Sequence, residues 1–432
     1  MSSEIVDVKG RRVWDSRGRP TVEAEVHLAG GAVGRAIAPA GASTGRAEAV
    51  DKRDGGASFG GLDVMQAVSA VKGEIANALM GCDATEQAAV DQVMIDLDGT
   101  GNKSRLGGNA LVATSMAVAH AAATGAGLPL WRYLGGQRQD YKLPLPEVQI
   151  FGGGAHAGRR VDVQDFMVIA VGANSYEQSL EWTAEVYRSA GKIMSDAGLM
   201  QGVADEGGFW PAFESNEMAL DFLVEAIERA GFTPGSDVAI SLDIAASDFG
   251  QSGQYRLSAD SKTVDSDGLS EMLLDWLARY PIVAIEDPMG EDDPVAMAKF
   301  TAAAGDGIEV IADDFICTTA SKINQAASIG ACNTALIKPN QAGTLSETKL
   351  ALDAARAAGW ETIMSARSGE SEDVTIVHLA VGWGVKQLKV GSFARSERMA
   401  KWNEGLRIAE RLEGRGGLIS TPDSFPWGPN SR

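Results

Sequence analysis

"IVAIEDP", residues 282–288, sets the fold. Four apolar residues run without a polar break into two acids and a proline. A strand with one wet face would alternate polar and apolar residues, so an unbroken run reads as a strand buried on both faces. The same pattern recurs on either side: "VAISLDIAAS" (238–247), "IEVIADD" (308–314), "TALIKPN" (334–340), "ETIMSAR" (361–367) and "QLKVGSF" (387–393). Helical patterns lie between them, such as "LSEMLLDWLARY" (269–280) and "SETKLALDAARAAGW" (346–360). The second opens with a candidate capping box, Thr344 to Glu347. Buried strands spaced by helices predict a parallel α/β sheet. The run of βα units is long enough to close into an eight-stranded barrel over residues 139–415.

The chain before the barrel reads differently. "TVEAEVHLAG" (21–30) alternates and ends in Gly-Gly, the pattern of a strand and hairpin. "VMQAVSAVKGEIANALMG" (64–81) and "NALVATSMAVAHAAATG" (109–125) read as Ala-rich helices. Residues 1–138 are therefore expected to form a separate α+β domain. Residues 416–432, rich in Gly and Pro, are expected to be a loose tail.

The 432 residues are too many for one small domain, which agrees with this division. A net charge of −20 argues against nucleic acid as a partner. It leaves room for a small anionic substrate, because a metal ion and a few basic side chains can reverse the sign inside one cleft. Cys82, Cys317 and Cys332 are odd in number and widely spaced, fitting neither a disulfide framework nor a zinc knuckle. No apolar run has the length of a signal-peptide core near the N-terminus or of a membrane span elsewhere. A soluble, cytoplasmic protein with no membrane partner is expected.

In a parallel barrel, functional side chains sit at the C-terminal ends of strands. Taken in order, those ends offer Asp243, Glu286 with Asp287, Asp313 with Asp314, Lys338, Arg367 with Ser368, and Lys389. The gaps from Asp243 to Glu286, Asp313 and Lys338 suit successive βα units, so one mouth could receive them all. Any one acid there could simply cap the next helix. Three acids and two lysines in sequence make that explanation poor. Three converging carboxylates would repel and raise one another's pKa unless a cation sat among them. Oxygen ligands without Cys or His favour Mg²⁺. A lysine beside such a site could serve as a base only if burial and neighbouring cations lower its pKa.

Other motifs carry less. "GGGAHAG" (152–158) partly matches a dinucleotide fingerprint, but strand rather than helix follows it, which speaks against a dehydrogenase. His27, His120 and His378 sit in hairpin or helix patterns and are expected to be structural. His156 lies in the glycine-rich loop and is the better functional candidate. "VADEGGFWP" (203–211) reads by itself as a turn.

Taken together, "DSRGRPTVE", "GASTG", "MIDLDGTGNKSRLGGNA", "DEGGF", "IEDP", "NQAGTLSE", "RSGESED" and "ARSER" resemble stretches of the enolase family, and the resemblance spans nearly the whole chain. It implies an enolase-type (β/α)8 barrel preceded by an α+β capping domain, two Mg²⁺ per site, and elimination of water from 2-phosphoglycerate or a close analogue. By position, Asp243, Glu286 and Asp313 match the ligands of the first Mg²⁺, and Ser43 a ligand of the second. Lys338 matches the base, Lys389 the partner of the substrate carboxylate, and Glu206 the acid that helps the hydroxyl leave. Arg367 and Ser368 match the phosphate grip; His156 and Gln164 match residues that line the closed pocket. Arg17 and Glu410 match a pair that bridges subunits, so a homodimer is expected.

Two positions depart from the family pattern. Ala366 stands where His usually precedes the Arg-Ser pair, and Asp165 where Glu is usual. By resemblance both lie where the hydroxyl departs, whereas the metal trio, the lysines and the phosphate grip are intact. One alternative is a relative resembling carboxyphosphonoenolpyruvate synthase, acting on a different phosphate- or phosphonate-bearing carboxylate. Another is an enolase-fold binding protein without catalysis, which Lys338 and the acid trio oppose.

Overall fold

The computed structural model describes residues 2–412 and 425–428. The N-terminal part opens with a three-stranded antiparallel sheet of β1 (Ile5–Trp14), β2 (Pro20–Leu28) and β3 (Val33–Ile37). Helices α1 (Gln87–Asp98) and α2 (Gly108–Gly125) follow. The Ala-rich sequence of α2 lets it lie very close to the sheet. A Cβ on Gly34 of β3 would meet the backbone of Ala121 at 2.1 Å, so only glycine fits. The apolar segment before α1 is helical but broken by a π-turn over Val71–Ile75.

Eight strands close the barrel. They are β4 (Leu145–Gly152), β5 (Asp165–Ile169), β6 (Ala239–Asp243), β7 (Ile282–Glu286), β8 (Glu309–Ala312), β9 (Thr334–Ile337), β10 (Glu361–Ser365) and β11 (Gln387–Ser392). Pairing of β11 with β4 completes the ring. Nearly every strand residue is buried, which explains the unbroken apolar runs in the sequence. The expectation of an all-parallel sheet needs one correction: β5 runs antiparallel to both β4 and β6. Only residues 153–164 connect β4 to β5, and they form a glycine-rich loop without a crossover helix. A parallel return of that length would need such a helix, so the chain doubles back.

Helices α3 (Tyr176–Asp196) and α4 (Asn216–Arg229) lead from β5 to β6. A longer helix then follows each strand from β6 to β11: α5 (Ser266–Arg279), α6 (Pro294–Ala304), α7 (Ala320–Ser328), α8 (Leu345–Ala357, after a single turn at Pro339–Ala342), α9 (Thr375–Trp383) and α10 (Ser396–Arg411). At the start of α8, Glu347 N–H donates to Thr344 Oγ1 at 3.2 Å, as a capping box requires. The Glu347 carboxylate does not return to the Thr344 backbone. It accepts from the Thr344 hydroxyl at 2.8 Å and pairs with Lys103 at 2.7 Å, tying the cap to the barrel.

The C-terminal tail is not loose where it is described. Phe425 and Trp427 stack with centroids 4.6 Å apart, and Trp427 Nε1 donates to Glu309 Oε2 at 3.2 Å. Aromatic area and a buried acceptor together hold this piece of chain at the N-terminal end of β8. Residues 416–424 and 429–432 of that expected tail lie outside the described residues. Among the described residues, no helix is long and apolar enough to cross a membrane, and the three cysteines are free.

Candidate active site

Asp243 and Glu286 end adjacent parallel strands and are register partners. Asp313 follows β8, Lys338 follows β9, Arg367 and Ser368 follow β10, and Lys389 lies within β11. All seven are buried. Strand geometry thus brings the acids and lysines to one mouth, as their sequence order suggested.

Lys389 Nζ is the hub of one side, 2.9 Å from Asp243 Oδ2, 2.7 Å from Glu286 Oε2 and 3.6 Å from Asp165 Oδ2. Gln164 Nε2 also donates to Asp243 Oδ2, at 2.9 Å. Lys338 Nζ pairs with Asp313 Oδ2, and Gln341 Nε2 donates to Asp313 Oδ1 at 2.9 Å. Burial and the neighbouring Asp243 charge push the Glu286 carboxyl well up. Burial would raise Asp313 too, but Lys338 prevails and holds it below the ordinary value.

Lys338 itself differs from the sequence expectation. Burial pulls its ammonium down, and Arg367 and Lys389 add to that, but the neighbouring carboxylates, Asp313 first and Glu286 after it, raise it and the net direction is upward. The Asp313 charge falls on the lysine in this arrangement. A divalent ion among the acids would compete for that charge and relieve the lysine of it.

Mg²⁺ suits this donor set. Asp243, Glu286 and Asp313 offer hard oxygens only. Glu286 Oε1 is buried and has no hydrogen-bond partner among the described residues, a cost that a cation would remove. As placed, the trio is turned toward the lysines. The acidic sets with ligand atoms within 4.8 Å of one another, among the described residues, are Asp287–Asp313–Asp314 and His156–Asp165–Glu206. Asp287 accepts from the backbone N–H of Asp313 at 3.0 Å and of Asp314 at 2.8 Å, which fixes the turn presenting Asp313.

The opposite wall is built around His156. Its Nδ1 lies 3.2 Å from Asp165 Oδ1, its Nε2 3.0 Å from Ser368 Oγ and 3.8 Å from Glu206 Oε1. Burial alone would lower this imidazole, but Glu206 and Asp165 prevail and push it up to about 9. Burial would raise Asp165, yet the His156 charge holds it below the ordinary range. Gln149 donates to Asp165 Oδ1 and accepts from Gly208 N–H at 2.8 Å. Ala366, 6% exposed, lines the small cavity shared with His156, Asp165, Glu206, Lys338 and Lys389. Its backbone N–H donates to Lys389 O at 2.9 Å.

The loop carrying "GASTG" closes over the same mouth. Arg367 is held by Glu48 at 2.9 and 3.1 Å, by Asn340 Oδ1 at 3.1 Å and by the Ser43 carbonyl at 3.0 Å. Ser368 Oγ accepts from Ala42 N–H at 3.2 Å. Ser43 lines the cavity, but the contact it makes with Arg367 is through its carbonyl. The expected phosphate grip therefore holds a carboxylate from the cap.

Elsewhere, Arg17 is committed within its own chain, to Asp15 Oδ2 at 3.0 Å and Ala40 O at 2.9 Å, whereas Glu410 is exposed on α10. His120 Nε2 meets Thr375 Oγ1 at 2.8 Å, and His378 Nε2 lies 3.4 Å from Glu404. Burial pulls both below the ordinary imidazole value, His378 to about 4. His27 sits beside Glu25 at 2.8 Å.

Sequence reasoning missed Glu48, Gln149, Gln341 and Arg398. Arg398 is wholly buried and donates to the carbonyls of Arg367 and Val390, each at 2.7 Å, and to that of Ser368. Of these four, Gln341 and Arg398 lie inside motifs quoted above. Their signal was present, but a string does not say which side chain turns inward.

Residues 5–134 match the family model described as the enolase N-terminal domain, and residues 140–418 match that of the enolase C-terminal TIM barrel domain.

Proposed function

The chain belongs to the enolase family, and from that premise we propose a Mg²⁺-dependent carbon–oxygen lyase. It abstracts the proton alpha to a carboxylate and eliminates water, acting on 2-phosphoglycerate or a close analogue. The observation that carries this is the placement of Asp243, Glu286 and Asp313 at successive strand ends beside two buried lysines, Lys338 and Lys389.

A carbon acid next to a carboxylate is very weak, and its deprotonation gives an enolate with two negative charges. Mg²⁺ held by Asp243, Glu286 and Asp313 would supply the concentrated positive charge that such a species needs. A lysine base working beside one or two Mg²⁺ is a general pattern of enolate chemistry in this superfamily, and the roles assigned here agree with it. Lys338 takes the proton from carbon. Lys389 faces the substrate carboxylate. Arg367 and Ser368 orient the phosphate once Glu48 yields to it. Glu206, with the His156 imidazole 3.8 Å away, delivers a proton to the departing hydroxyl. The closed loop keeps bulk water off the enolate.

A second reading is favoured by Ala366, which lines the cavity with a methyl group where the family usually has His. In that reading the proton-abstraction side is kept and the departing group differs, as in a phosphonate-bearing analogue. A homodimer and a cytoplasmic location remain part of the proposal. Because Arg17 is held by Asp15, a dimer contact through it would have to use the Asp15–Arg17 pair as a unit.

A Mg²⁺-dependent assay with 2-phosphoglycerate, on the natural protein and on Ala366→His, separates the readings. Comparable turnover in both supports the hydratase. Turnover only in Ala366→His supports a different natural substrate. Absence of turnover and of α-proton exchange in both would overturn the assignment of this lyase to 2-phosphoglycerate.

A further inference from the structure

Lys389 has a fourth acid near it. Glu147 lies on β4, the strand that pairs with β11, and is the register partner of Lys389. Register partners on parallel strands point to the same face, so both side chains enter the barrel. Glu147 is fully buried, with no exposed surface. Its Oε1 accepts from Ser241 Oγ, whereas its Oε2 has no hydrogen-bond partner among the described residues. It makes no direct ion pair with Lys389, whose three carboxylate contacts are Asp243, Glu286 and Asp165. Burial pushes the Glu147 carboxyl up, and Lys389 is the strongest influence pulling it back. A buried glutamate with an orphan oxygen is costly, and nothing in the reaction described above uses it.

Its place gives it a use. Two of the three partners of Lys389, Asp243 and Glu286, are the acids assigned to the cation. A divalent ion that takes those two leaves a buried ammonium short of counter-charge, and an unpaired buried cation is strongly unfavourable. Asp165 can offer Lys389 its Oδ2, 3.6 Å away and without a hydrogen-bond partner among the described residues, but His156 and Gln149 hold its Oδ1, so its single charge is shared.

We propose that Glu147 is a positioning residue, the counter-charge inside the barrel that holds Lys389 in place when a divalent cation draws Asp243 and Glu286 away. This rests on the metal-dependent reading above. Glu147 touches neither substrate nor cation. It lets the cation bind without stranding the lysine, and it leaves the Lys389 amine aimed at the substrate carboxylate.

The test is Mg²⁺ affinity, measured by titration calorimetry on the substrate-free protein as a double-mutant cycle. Glu147→Gln keeps the size of the side chain and an acceptor for Ser241. It should weaken Mg²⁺ binding roughly tenfold, within the range of coupling between neighbouring charged groups. Glu147→Asp, which keeps the charge, should recover most of that loss. In a Lys389→Met background the Glu147→Gln change should cost less than about twofold, because the charge it balances is gone. A simple through-space attraction between Glu147 and the cation would persist there, and that result would overturn the proposal. So would native affinity in Glu147→Gln, which would reduce Glu147 to a hydrogen-bond partner of Ser241. Natural protein that takes up no Mg²⁺ would overturn the metal-dependent reading itself, and this inference with it.

Discussion

Glu48→Gln tests how the cap is held over the barrel. Glu48 and Arg367 are both buried, with side chains 8% and 3% exposed, so solvent screens their pair little. Breaking a buried pair by removing one charge typically costs ~3–5 kcal/mol, because the other is left uncompensated. The amide can still accept one hydrogen bond, and Asn340 Oδ1 and the Ser43 carbonyl still contact Arg367. The loss should therefore fall at the lower end, about 3 kcal/mol. Unfolding entropy is about 2 cal/mol/K per residue, which converts this loss to a fall in Tm of about 3 °C for a chain of 432 residues. Inorganic phosphate should restore much of it. An anion that binds only the folded state adds about 2.7 kcal/mol at 100 times its Kd. In the natural protein that anion must first displace Glu48, so its effect there should be smaller. Calorimetric melting of both proteins, with and without phosphate, is the assay. A variant that melts with the natural protein would refute the reasoning. Equal stabilisation of both by phosphate would also refute it.

Other consequences follow from single residues. Lys338→Met should lower Mg²⁺-dependent exchange of the substrate α-proton by ~10²–10⁴-fold while the protein stays folded, read by proton NMR in deuterated buffer. The His156 imidazole is raised to about 9, above its unfolded value near 6.5. Its stabilising contribution is fully present below about pH 6.5 and lost as pH rises through about 9. Urea unfolding at pH 6 and pH 9 should show that loss, and His156→Gln should flatten it. Burial raises the Glu309 carboxyl to about 8, so folding loses stability as pH climbs toward that value and Glu309 must ionise. Glu309→Gln should therefore melt higher than the natural protein at pH 9 and gain less at pH 6. Trp427→Ala removes an aromatic side chain buried at the barrel's N-terminal end and should cost ~3–5 kcal/mol, read in the same melts.

The strand ends were legible because a strand buried on both faces leaves an unbroken apolar run, and the first charged residue after it marks the mouth. Asp243, Glu286, Asp313 and Lys338 were found in that way. The reversal of β5 was not legible, because "VQDFMVIAVG" looks the same in either direction; what decides it is the loop before it, with no helix to carry the chain back. The direction of the Lys338 shift was missed because it depends on which neighbour is nearest, Asp313 or the cations, and spacing does not give distance. The hold of Glu48 on Arg367 joins positions more than three hundred residues apart in the chain, so no local pattern could reveal it. Glu147 was invisible for a related reason. Its neighbour Lys389 is adjacent only because β11 closes onto β4.

The most direct measurement is proton NMR of 2-phosphoglycerate in deuterated buffer with the natural protein, with and without Mg²⁺. Loss of the α-proton signal that needs both Mg²⁺ and Lys338 is the expected result. A protein that binds Mg²⁺ and 2-phosphoglycerate together, yet leaves that proton unexchanged, would contradict the assignment of Lys338 as base toward this substrate.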